Sequence, residues 1–120
     1  MMTKPVARDP RSLLPLTQPV FHILLALADG ERHGYAIIQE IERRTGGSLT
    51  LRTGTLYTAL ARMLKLGLIE ETDERPDPES DDERRRYYRI SPFGRSVAKE
   101  EASRMRALVA LASDKRVIAR

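Results

Sequence analysis

At 120 residues the chain has the size of one domain with a single modest core, which argues against a two-domain enzyme. Hydrophobic residues make up 41% and charged residues 32%, a globular balance, and no apolar run is longer than Ile23 to Ala28, far short of a membrane span. The 21 basic side chains against 17 acidic ones leave a net charge of +4, compatible with an anionic partner.

There is no cysteine, which removes disulfide scaffolds, thiol catalysis and cysteine-ligated metal sites together. Pro5, Pro10 and Pro15 interrupt the N-terminal stretch, so it has no continuous apolar core of a signal peptide. A cytoplasmic location is expected. The charge is unevenly placed: residues 1–72 hold nine basic and seven acidic side chains, residues 73–83 one and seven, and residues 84–120 eleven and three. A short acidic block therefore masks a strongly basic C-terminal third.

In chain order, residues 1–17 read as an N-terminal arm, mobile or dependent on a partner. A first helix opens near Gln18, with Pro19 in its first turn and Val20, Ile23, Leu24 and Leu27 at helical spacing, and stops at Asp29-Gly30. A second fits Gly34 to Thr45, with Ile37, Ile38 and Ile41 as its apolar stripe and Gly46-Gly47 ending it. Leu49 to Arg52 reads as a short extended strand. Thr53 is placed to cap a third helix that carries Leu56, Ala59, Leu60 and Met63 on one face and stops at Gly67.

Leu68 to Thr72 and Arg84 to Ile90 read as two strands joined by the polar loop Asp73 to Glu83. In the second strand, Tyr88 and Ile90 face one side while Tyr87 and Arg89 face the other. Ser91-Pro92 then opens a last helix that continues for about twenty residues to near Ser113. Along it Ala98, Ala102, Met105, Val109 and Ala112 alternate by four and three, the narrow seam that pairs helices; packing on the chain's own core is the alternative.

This order describes a mainly α chain with a small β-hairpin (α+β): a winged helix-turn-helix over residues 18–91, followed by a dimerisation helix and tail over residues 92–120. A helix fits the DNA major groove, and the third helix leaves one face outside. Projection at about 100° per residue groups Leu56, Leu60 and Met63. Gly54, Thr58, Ala61 and Lys65 lie opposite, with Thr55 and Arg62 on one flank and Tyr57 on the other. Gly54 and Ala61 permit close approach, while Thr55, Thr58 and Arg62 suit base edges or phosphates. Arg84, Arg85 and Arg86 add cationic surface at the base of the hairpin, and arginine grips phosphate with a forked geometry. The acidic tip, with Asp77, Glu79, Asp81, Asp82 and Glu83, would be repelled by phosphate.

His33-Gly34-Tyr35, Gly54-Thr55-Leu56-Tyr57, Leu66-Gly67-Leu68-Ile69, and Arg85-Arg86-Tyr87-Tyr88-Arg89-Ile90-Ser91 leading to Gly94-Arg95 together resemble the PadR family of transcriptional regulators. The resemblance runs from roughly Val20 to Ala98. It implies a homodimeric winged-helix repressor that binds a palindromic operator on double-stranded DNA and releases it when a small-molecule effector binds. It also implies that the C-terminal helix, often with the N-terminal segment, builds the dimer, as in compact members with a single C-terminal helix. Thr58 stands where the family commonly has proline. The lack of tryptophan argues against the aromatic stacking pocket of its multidrug-responsive members.

The expected DNA-contacting set is His33, Tyr35, Thr53, Gly54, Thr55, Tyr57, Thr58, Arg62, Lys65, Arg84, Arg85 and Arg86. His33 and His22 are scattered histidines without a ligand cluster, for which structural roles are the simpler reading, so no metal and no cofactor is expected. No nucleophile, base and orienting group share recognisable elements, and no enzyme activity or membrane partner is expected. The competing reading is a winged-helix module for protein interaction, working through the acidic loop and the last helix.

Overall fold

The structure, a computed structural model, describes residues 8–72 and 86–119. A 3-10 helix at Pro10–Leu13 leads to α1 (Gln18–Leu27), β1 (Arg32–His33), α2 (Gly34–Arg44), α3 (Thr53–Lys65), β2 (Ile69–Thr72), β3 (Tyr87–Ile90) and α4 (Pro92–Asp114). Four helices thus surround a small antiparallel sheet in the order β1-β3-β2, an α+β fold. The hairpin pairs Ile69 with Ile90 and Thr72 with Tyr87, and β1 adds Arg32 opposite Tyr88 and His33 opposite Tyr87.

The core forms where the apolar stripes of the helices converge. Ile23, Leu24 and Leu27 of α1 meet Ile37 and Ile41 of α2, Leu56, Leu60 and Met63 of α3, and Val97 of α4, closed below by Leu68, Ile69 and Tyr88. Alternation along β3 is as expected, with Tyr88 buried, Ile90 packed against the core and Arg89 exposed. Thr17 and Ser91 begin α1 and α4 by accepting from the amides of Val20 and Gly94.

The strand expected at Leu49 to Arg52 lies elsewhere. The third strand is Arg32–His33, and residues 49–52 are an irregular link in which Leu51 drops into the core. Edge pairing along β3 decides this, because β1 sits beside it and the link does not. The described part of the segment expected as an arm, residues 8–17, packs against α4. There the Leu16 amide donates to Glu101 Oε2 at 2.6 Å, and Arg104 Nε donates to Glu101 Oε1. The Arg8 guanidinium donates to the Leu66 carbonyl and lies 4.5 Å over the Phe93 ring.

Two other contacts join elements at close quarters. Glu40, buried on α2, accepts from Arg43 at 2.8 Å and Arg44 at 2.7 Å and pairs with Arg32 at 3.2 Å. Arg32 in turn donates to the Ala26 carbonyl at the end of α1, so one carboxylate ties β1 and α2 to α1. At the base of α4, Gly94 lies against the residue that precedes β2: a Cβ there would fall 1.9 Å from the Leu68 carbonyl oxygen.

Gly94→Ala must therefore push α4 off the Leu68 backbone, and an overpacking loss of about 1–3 kcal/mol is expected in urea unfolding at fixed protein concentration. Hydrogen bonds from Arg44 and Arg43, chiefly, hold the Glu40 carboxyl down from 4.5 to about 2. Its contribution is thus complete above pH 4.5 and is lost as pH falls towards 2. Glu40→Gln should be less stable than the parent at neutral pH and lose less stability across that acid range, read from unfolding midpoints against pH.

Candidate nucleic-acid interface

Three buried side chains set the rotation of α3. Leu56, Leu60 and Met63 are fully enclosed, which turns Thr53, Gly54, Thr55, Tyr57, Thr58, Ala61, Arg62 and Lys65 outward. The structure thus brings the helix-face candidates onto one exposed surface. Gly54 has nothing within 4 Å of where a Cβ would stand, so the first turn of α3 is open to a close partner.

Thr53 does not cap this helix. Arg52 is the N-cap, extended at φ −75° and ψ 151° without a side-chain capping bond, and Thr53 is already the first helical residue. Its hydroxyl therefore does not stand ahead of the first-turn amides, which are left without a side-chain acceptor. Such amides, with the helix dipole, favour an anion. Arg52 is exposed beside them and was not among the sequence candidates. Its signal was available as a basic residue immediately before the third helix.

Tyr57 points back towards the protein as well as outward. It is 49% exposed, yet its hydroxyl would lie 2.6 Å from a Cβ at Gly34. The glycine thereby lets the start of α2 rest on α3. Tyr35 is exposed next to this contact. His33 has a structural task, since its Nδ1 accepts from the Ala36 amide at 3.2 Å and so caps α2. Its ring stands edge-on to Tyr87 with centroids 5.5 Å apart.

The cations differ in their engagement. Among the described residues, Arg52, Arg62 and Lys65 have no carboxylate partner. Arg86 pairs with Glu71 at 3.3 Å across the hairpin, and Arg89 sits 3.8 Å from Glu70 and 4.0 Å from Glu31. These exposed pairs are worth little, so phosphate can replace the carboxylate. Arg84 and Arg85 lie outside the described residues, as does the acidic loop. No group of three or more metal-ligating side chains occurs among the described residues.

The expected α4 seam departs from the body of the protein. Ala98 is half-buried, but Ala102, Met105 and Val109 are exposed, so from Ala102 onward this face does not pack on the chain's own core. Leu108 and Leu111, 52% and 51% exposed, widen it. Their signal was the spacing of three from Met105 and Leu108 respectively.

The model of the PadR-like transcriptional regulator family matches residues 23–100, spanning α1 to the first half of α4. The chain belongs to the PadR-like family. The transcriptional regulator Rv3488 of Mycobacterium tuberculosis is 36% identical over 80 residues, 67% of this chain and 68% of that protein. A transcriptional regulator from Clostridium thermocellum is similar in structure, with TM-score 0.68 and 30% identity over 83% of this chain and 90% of its own. A PadR family regulator from Clostridium difficile R20291 shares the fold, with TM-score 0.69 and 22% identity over 82% of this chain and 97% of its own. The fold is thus a winged helix, with β2 and β3 as the wing, and the chain is a DNA-binding regulator. The family is one of regulators, and no described helix is long and apolar enough to cross a membrane.

Proposed function

We propose that this PadR-like regulator is a homodimeric, effector-responsive repressor acting in the cytoplasm on an inverted-repeat operator. The observation that carries the reading is the outer face of α3. Small and hydroxyl residues there stand beside Arg52, Arg62 and Lys65, cations without carboxylate partners among the described residues. Base contacts come from Thr55, Thr58 and Arg62, with Gly54 and Ala61 admitting the groove walls. Lys65, Arg52 and the wing arginines Arg84, Arg85 and Arg86 hold phosphate and position the helix. Residues 18–91 are the DNA-binding unit. His33 and Tyr57 support it from behind, through the α2 cap and the Gly34 contact.

The exposed apolar row on α4 supports pairing of two chains. Met105, Leu108, Val109 and Leu111 together present more apolar surface than isolated exposed residues do, and a second α4 of the same pattern covers it. Two-fold pairing sets the two α3 helices in successive major grooves, about 34–36 Å apart. The operator then mirrors the dimer symmetry.

The test is a mobility-shift titration on the DNA upstream of the gene, against scrambled DNA and at several salt concentrations. The parent should prefer the upstream fragment and weaken steeply with salt, because each phosphate contact releases counterions. Arg62→Ala should lose about 1–3 kcal/mol, close to tenfold or a hundredfold, and relax preference at one base pair. Val109→Glu should sediment as a monomer and lose the upstream preference. Equal binding to scrambled DNA at every salt concentration contradicts the reading.

A further inference from the structure

A cavity of about 310 Å³ lies beneath the segment that joins the 3-10 helix to α1 and above the end of α3. That is at the lower end of the volume range of small-molecule sites, about 300–1,000 Å³. Its walls are Leu13, Pro15, Leu16, Thr17 and Val20 on one side and Leu66 and Leu68 on the other, with Arg62 among them. Leu13, Leu16, Val20 and Leu66 remain only half-buried here, so apolar surface stays uncovered inside the fold.

Two contacts flank the space. Glu101, which is 0% exposed, fixes the backbone of Leu16 to α4, and Arg8, ahead of the 3-10 helix, donates to the Leu66 carbonyl at the end of α3. Leu16 is thereby tied to α4 and Arg8 to the end of α3, one on each side of the 3-10 helix in sequence. Burying the walls under a ligand would remove this apolar surface from water, which favours binding.

Arg62 is the one cation in this lining, and no carboxylate among the described residues pairs with it. Apart from Thr17 and Arg62 the lining is aliphatic, with no aromatic face on which a ring would stack. One cation at the rim of an aliphatic cavity matches an amphiphilic monoanion, whose head takes the guanidinium in a forked hydrogen bond and whose body fills the space. We propose that this cavity binds a small aliphatic carboxylic acid through Arg62, and that binding the acid and gripping DNA through Arg62 exclude each other. The second clause rests on the DNA-binding reading above. Arg62 cannot place its fork on a carboxylate under the N-terminal segment and on the operator at the same time.

The experiment uses the full chain without DNA, octanoate as the probe and octanamide as its uncharged counterpart, followed by amide chemical shifts. Octanoate should move the amides of Leu16, Val20, Leu66 and Leu68 in a saturable manner. Octanamide, and octanoate on Arg62→Gln, should bind at least tenfold more weakly. Arg62 is exposed, so Arg62→Gln should fold as the parent does; Val20→Phe, which fills the cavity, should abolish the shifts while keeping a dispersed spectrum. The site is overturned if octanoate leaves these amides unmoved, moves only the exposed face of α4, or binds no better than octanamide. Contacts from a second copy into the cavity overturn it as well. In a separate mobility shift, octanoate should release the upstream fragment from the parent, and unchanged retardation at saturating octanoate refutes the exclusion. If no fragment is retarded at all while the amide shifts persist, the DNA-binding reading has failed and the cavity site has not.

Discussion

A helix can read DNA only if its rotation about its own axis is fixed, because about 100° separates one residue's direction from the next. In this protein Leu56, Leu60 and Met63 supply that constraint. They are enclosed by α1, α2 and β2, and withdrawing any of them would leave a core cavity. Everything proposed for the outer face follows from their burial: Thr55, Thr58 and Arg62 face outward because the three apolar residues face in. Gly34 adds a second restraint, since a larger residue would drive Tyr57 and the start of α2 away from α3.

Around this frame, two buried carboxylates act as fasteners. Glu40 draws Arg32, Arg43 and Arg44 together and so holds β1 between α1 and α2. Glu101 does the same for the N-terminal segment and α4, with Arg104 and the Leu16 amide as its partners, and these, Arg104 chiefly, hold its carboxyl below the usual range. A buried carboxylate is tolerable only with such partners. The result is that α4 leaves the body at a set direction, carrying its exposed apolar face outward, and in the proposed dimer that direction would set how far apart the two α3 helices stand.

The long helices were legible because their signals are local and repeated: the apolar stripes of α1, α2 and α3, and Ser91-Pro92 at the head of α4. The hairpin was legible from alternation around Tyr88. The strand Arg32–His33 was not, since two residues carry no period and only pairing with β3 makes them a strand. The cap at Thr53 was misread by one residue, a difference that hydroxyl chemistry alone does not resolve. Glu101 carries no sign in the sequence of the role it takes. Its burial depends on Leu16, 85 residues away in sequence, and no local pattern announces such a contact. Leu108 and Leu111 were passed over because a strict four-three seam is narrower than the exposed apolar face the helix presents.

The outer face of α3 is proposed to enter the major groove, and the chain's lack of cysteine permits a direct measurement. A single cysteine at Ala61, on that face, can carry an iron chelate that cleaves nearby DNA; a cysteine at Glu42, exposed on α2, serves as the control. On the upstream fragment, the Ala61→Cys conjugate should cut in two clusters about one helical turn apart, each centred in a major groove. The Glu42→Cys conjugate should cut little. Equal cutting from both positions, or none from Ala61→Cys while the fragment is bound, would contradict α3 as the reading helix.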